Sequence, residues 1–161
     1  MSGLKGTRGF TLVELMITLA LLAIIATIAV PNFMQFIRNN QVQAKADELK
    51  TFLQYARGQA VATRKSYQVT AGTDWEIKPV GGTAERKLTF NTAQAQVRTQ
   101  PAALVMIFRP NGIASNPAKM TVCNGNDFAN GYLIEVKASG AIKMYARGNK
   151  EDASKLTSCE L

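Results

Sequence analysis

The sequence predicts an α+β protein, in which a long N-terminal helix packs against an antiparallel β-sheet head. The helix is apolar in its first half and amphipathic in its second. Three observations carry this reading. Between Phe10 and Ile37 the chain holds one charge, Glu14. From Val42 to Val61 apolar residues recur at three- and four-residue spacing, the period of one helix face. From Tyr67 onward the pattern shortens to apolar runs and two-residue alternation, broken by turn dipeptides.

Residues 1–9, MSGLKGTRG, are small, glycine-rich and basic, and read as a leader outside the fold. The segment 10–37 has 28 residues. At about 1.5 Å rise per residue it reaches past the roughly 30 Å hydrocarbon core of a bilayer. Lys5 and Arg8 before it fit the positive-inside rule, so the chain that follows is expected to be translocated. Thr11 is available as a helix cap. Glu14 is costly in an apolar segment unless a positive partner meets it. Pro31 removes a backbone hydrogen bond and crowds the preceding turn, so a kink or local melting is expected near residues 27–31.

Residues 38–65 continue as an amphipathic helix. Val42, Ala46, Leu49, Phe52, Leu53, Ala56, Ala60 and Val61 form its apolar stripe, with Lys45, Asp47, Lys50, Arg57 and Arg64 elsewhere on the wheel. Residues 66–161 form the β-rich head. Expected strands are Tyr67 to Thr70, Trp75 to Lys78, Lys87 to Phe90, Gln96 to Thr99, Ala103 to Arg109, Met120 to Cys123, Leu133 to Ala138 and Ala141 to Tyr145. Gly81-Gly82, Pro110-Asn111-Gly112, Asn124-Gly125 and Asn130-Gly131 mark turns, and Ser139-Gly140 marks a tight hairpin. Ala103 to Phe108 is apolar on both alternating sets, the pattern of a strand buried on both faces.

Composition narrows the function classes. Net charge is +8, but the cations are scattered and their longest pure runs are pairs, unlike a nucleic-acid stripe. There is no histidine, so the commonest general base and nucleophile activator are missing, and no catalytic set assembles. The reading is a non-enzyme with no cofactor and no small-molecule substrate. Two thiols without histidine or CxxC spacing make a poor metal site. In a translocated domain Cys123 and Cys159 are instead expected to pair, closing a loop that the chain-entropy model values at roughly 4 kcal/mol. Trp75 and Tyr132 read as core residues. The segment Tyr145 to Lys150, with Glu151 and Asp152 after it, reads as a solvated tail.

The run Gly9-Phe10-Thr11-Leu12-Val13-Glu14-Leu15 resembles the prepilin motif of type IV pilins and type II secretion pseudopilins. The resemblance implies a prepilin peptidase that cuts between Gly9 and Phe10 and methylates the new Phe10 amine. It also implies that Glu14 pairs with the Phe10 amine of a neighbouring subunit during assembly. Leu53-Gln54-Tyr55-Ala56-Arg57, Phe108-Arg109-Pro110-Asn111-Gly112 and the Ser139-Gly140 hairpin are similar to stretches of the GspH/FimT family, and within it most similar to FimU-type minor pilins. The fold implied is the pilin fold.

What the resemblance implies is a minor pilin of the priming or tip complex. It would be held in the inner membrane with its head in the periplasm, and would assemble with other pilins through its N-terminal helix. Two alternatives share the plan: a GspH-like pseudopilin of a type II secretion system, and a FimT-like DNA-binding pilin. Relatives of the latter kind present a Gly-Arg-x-Arg motif where this chain reads Gly140-Ala141-Ile142-Lys143, so weak DNA binding is expected.

Overall fold

In the computed structural model, residues 9–160 are described. Helix α1 spans Leu12–Thr63. The strands are β1 (Tyr67–Thr70), β2 (Asp74–Pro79), β3 (Arg86–Thr89), β4 (Gln96–Gln100), β5 (Val105–Phe108), β6 (Ala118–Cys123), β7 (Tyr132–Val136) and β8 (Ile142–Met144). The chain divides between Ile37 and Arg38 into two compact units. Apart from Gly9, the leader lies outside the described residues.

In the first unit, Thr11 Oγ1 accepts the Glu14 backbone N–H at 3.2 Å. This satisfies one of the donors that a helix start leaves unpaired. Phe10 and Thr11 therefore precede the helix, where the sequence suggested that Phe10 would open it. The helix is continuous through Pro31, so no local melting accompanies the proline. Thr18 and Thr27 donate their hydroxyls back to the carbonyls of Leu15 and Ile24, at 2.8 and 2.7 Å, and leave an apolar exterior.

In the second unit, Val42, Ala46, Leu49, Phe52, Leu53, Ala56 and Ala60 of α1 are buried. Burial of Leu49, Phe52 and Leu53 contributes about 1.5–3 kcal/mol each. Val61, expected in this stripe, is exposed. The helix ends where Arg64 turns left-handed at φ 55°, the backbone geometry that commonly closes helices.

The strands form two four-stranded antiparallel sheets, ordered β3-β2-β1-β5 and β4-β6-β7-β8, where the sequence suggested one. Their inner faces meet the α1 stripe in one core containing Val69, Ile77, Met106, Phe108, Met120, Val122, Ile134 and Val136. Strand β5 is an edge of the first sheet, buried on one face only: Met106 and Phe108 point inward while Val105 is exposed. The expectation that it is buried on both faces is thus corrected. Its free edge is met by the following turn. Ser115 N–H donates to Ile107 O, and Ala114 N–H donates to Ala138 O, which ties this edge to the β7–β8 hairpin. That hairpin pairs Ile134 with Met144 and Val136 with Ile142.

In the segment read as a solvated tail, Ala146, Arg147, Glu151 and Asp152 are exposed, but Tyr145 and Gly148 are buried, contrary to that reading. Tyr145 and Leu156 are buried against Leu133 on the outer face of the second sheet. Cys159 is bonded to Cys123, and its carbonyl accepts the buried Thr121 hydroxyl at 2.5 Å. Lys119 pairs with Glu151, which pushes the lysine up and the carboxyl down from their ordinary values. The Tyr145 hydroxyl donates to Glu135 at 2.5 Å. This bond, aided by burial, pushes the phenol from 10.0 up to about 12.

A group whose pKa is raised by folding stabilises the fold below its unfolded value and loses that contribution as pH climbs through the folded one. Tyr145 should therefore contribute fully below about pH 10 and progressively less toward pH 12. Thermal unfolding of the full chain in detergent tests this. The melting temperature of Tyr145→Phe should lie below that of the unsubstituted chain near neutral pH. The gap should close between pH 10 and 12, and a gap that stays constant contradicts the assignment.

Candidate functional site

Every described residue from Gly9 to Phe36 is exposed. Among them are Leu12 at 74%, Ile17 at 56%, Leu22 at 62%, Ile25 at 61% and Phe33 at 63% of full exposure. An 18-residue window of this helix has a mean hydropathy of 2.5, with none of it buried. Such a surface is unstable in water. Covering it is worth on the order of tens of kcal/mol, summed over its large apolar side chains. Long and apolar enough to cross a membrane, it can be covered by lipid or by other helices of the same kind.

Glu14 is exposed in the first turn of α1, one turn from Phe10. Its carboxylate makes no hydrogen bond or ion pair among the described residues. A carboxylate in the first turn of a helix faces the positive end of the helix dipole. Gly9 and Phe10 lie exposed ahead of the helix. The structure thus puts Gly9, Phe10 and Glu14 at one end of a bare apolar rod. Pro31, inside the helix, leaves the Thr27 carbonyl without its usual backbone donor.

The second unit brings together three stretches far apart in the chain. Arg57 Nε, on α1, donates to the Gly112 carbonyl at 3.0 Å. Gly112 sits in the turn after β5 at φ +77°, and Gly140 in the β7–β8 turn at φ +76°. A Cβ on Gly140 would lie 1.8 Å from the Gly112 oxygen and 3.0 Å from Arg57 Nε. Sequence reasoning picked out each of these residues within its own motif. Their convergence into one joint between helix and sheets depends on long-range pairing and was missed.

This geometry is the pilin fold, and the known proteins it resembles agree. The prokaryotic N-terminal methylation motif matches residues 4–30, and the model of the type II transport protein GspH matches residues 45–140. The chain belongs to the GspH family. Over 46 residues it is 52% identical to the type IV major pilin protein PilA of Myxococcus xanthus, a match over 29% of this chain and 19% of that one. A fimbrial protein of Pseudomonas aeruginosa is 27% identical over 130 residues, 77% of this chain and 83% of that one. Among solved structures, the minor pilin FimU of Pseudomonas aeruginosa superposes with a TM-score of 0.64 at 23% identity, covering 77% of this chain and 98% of FimU. The minor pseudopilin EpsH of the Vibrio cholerae type 2 secretion system reaches 0.52 at 10% identity, covering 66% and 97%.

The Gly112–Gly140 contact should be intolerant of any side chain. Gly140→Ala combines a left-handed backbone with a clash against a carbonyl, and should cost about 3 kcal/mol or more. Circular dichroism melts should show it well below Arg57→Ala, which loses one hydrogen bond worth about 1 kcal/mol. Equal melting of the two variants contradicts the joint.

Proposed function

We propose that this chain is a minor type IV pilin: a structural subunit of the priming or tip complex, assembled through its N-terminal helix and without catalytic activity. The observation that carries the reading is the bare apolar helix with one unpartnered carboxylate near its start. The methylation motif and the FimU-like fold support it. In this reading a prepilin peptidase cuts between Gly9 and Phe10 and methylates Phe10. The matured protein waits in the inner membrane with its head in the periplasm. It then exchanges lipid for the helices of other pilins, and Glu14 takes a neighbour's Phe10 amine as its partner. An unpaired carboxylate among apolar helices is costly, so the pair would favour one axial register. Pro31, with the freed Thr27 carbonyl, gives the packed helix a place to bend.

A second reading, a pseudopilin of a type II secretion system, is supported by the GspH family match and the EpsH-like fold. Gene neighbourhood separates the two: pilus components with a large tip adhesin, or secretion components. DNA capture has less support. Two cations toward the C-terminus are already engaged, because Lys143 lies over the Tyr145 ring at 4.7 Å and Arg147 donates to Tyr132 and Gln43.

Mass spectrometry of membrane-extracted protein should find methylated Phe10 at the N-terminus; an intact Met1 start in peptidase-competent cells contradicts processing. Glu14→Ala should keep the protein in the membrane at normal or raised levels. It should also reduce recovery in sheared filaments by about tenfold or more, the effect of losing a buried pair. Normal filament levels of this variant would remove the assembly role of Glu14.

A further inference from the structure

The edges of the two sheets are not equally protected. Strand β5 is covered by the Ile113–Ser115 turn. Strand β3 carries exposed Arg86 and Lys87, the cationic guard common on edge strands. Strand β8 has only three residues. Strand β4 is different. It pairs with β6 on one side only, and no other element hydrogen-bonds to Gln96–Gln100 through its backbone among the described residues. Beside it lies a cleft of about 310 Å³, bounded by Thr73, Trp75, Phe90, Ala95, Val97 and Arg98.

Three features of this cleft await a ligand. The open backbone edge of β4 offers donors and acceptors at strand spacing. Trp75 is 2% exposed and packs edge-on against Phe90 at 6.2 Å. No hydrogen bond of the described residues involves its indole N–H. Among the described residues no fully buried side-chain nitrogen or oxygen lacks a partner, so this donor keeps a small solvent-facing area on an otherwise buried side chain. On the outer face, Arg98 holds the Glu160 carboxylate at 2.6 Å, but Glu160 is 79% exposed. A pair so open is weak and exchangeable.

We propose that β4 receives an added strand from a second protein: an extended segment alternating acidic and apolar residues. Backbone pairing would extend the second sheet to a fifth strand. Side chains on the face shared with Val97 would be apolar and enter the space beside Phe90 and the Trp75 indole. Those on the face shared with Arg98 would carry the carboxylates that replace Glu160. A second copy of β4, Gln-Val-Arg-Thr-Gln, does not fit, since it brings no carboxylate and adds another arginine. The proposal concerns the head alone, so its failure leaves the reading of the N-terminal helix intact.

Trp75 is the one tryptophan of the chain, so its fluorescence reports on this cleft directly. The full chain in detergent is titrated with acetyl-Ile-Glu-Val-Glu-Ile-amide. Two controls accompany it: acetyl-Ile-Glu-Pro-Pro-Glu-Ile-amide, whose adjacent prolines remove a sheet-facing N–H in either orientation of an added strand, and acetyl-Ile-Lys-Val-Lys-Ile-amide. The acidic peptide should give a saturable change, with amide-exchange protection gained at residues 96–100. The proline peptide should bind at least about tenfold more weakly. Arg98→Glu should reverse the preference between the acidic and lysine peptides, and Glu160→Gln should tighten binding of the acidic one. No saturable change, equal binding of the proline peptide, an unchanged preference in Arg98→Glu, or protection gained only outside β4 would each overturn the proposal.

Discussion

The structure depends on one constraint: an apolar helix surface that is unstable in water and that the described residues leave uncovered. From Gly9 to Phe36 every residue is exposed, and apolar side chains dominate. The threonines within the helix return their hydroxyls to its own backbone, so nearly all the polarity that remains is gathered at Glu14 and the amides of Asn32 and Gln35. A surface of this kind must lie in lipid or against similar helices. The identity of the cover is therefore what the protein's function turns on. In the filament reading, Glu14 supplies direction to a process that apolar burial drives without direction.

The second unit solves an ordinary folding problem with few resources. A β-rich head of modest size gains one core from two sheets closing on the α1 stripe. It adds a smaller cluster of Leu133, Tyr145 and Leu156 under the tail, held by the Cys123–Cys159 bond. The joint of Arg57, Gly112 and Gly140 links the helix to both β-turns at a distance that admits no side chain. These features explain why a chain with scattered motifs folds into one head, and why its turns favour glycine at two left-handed positions.

Much of this was legible from local pattern. All eight strands fall where alternation and turn dipeptides place them, because strand period and turn chemistry are local properties. Their division into two sheets was not legible, since pairing between distant strands leaves no local trace. Strand β5 misled because Val105 and Ile107 are apolar although they face outward beside an edge; composition does not report edge position. The tail misled because Leu156 is an isolated apolar residue in a polar stretch without period, and its packing with Tyr145 against Leu133 is a long-range contact. Gly9, Phe10 and Glu14 stand close together in the sequence and come together at the start of the helix for that reason alone, while the position of Arg98 beside the open β4 edge depends on packing between distant strands.

The central claim is that the exposed helix exchanges lipid for neighbouring subunits. The most direct measurement is photo-cross-linking in living cells, with a benzophenone amino acid replacing Leu22 on the bare helix face. In cells that assemble filaments, the account requires adducts to the N-terminal helices of other subunits. In cells unable to assemble them, the same position should cross-link to lipid. Lipid adducts in both backgrounds, with no subunit adduct when filaments form, would contradict the account.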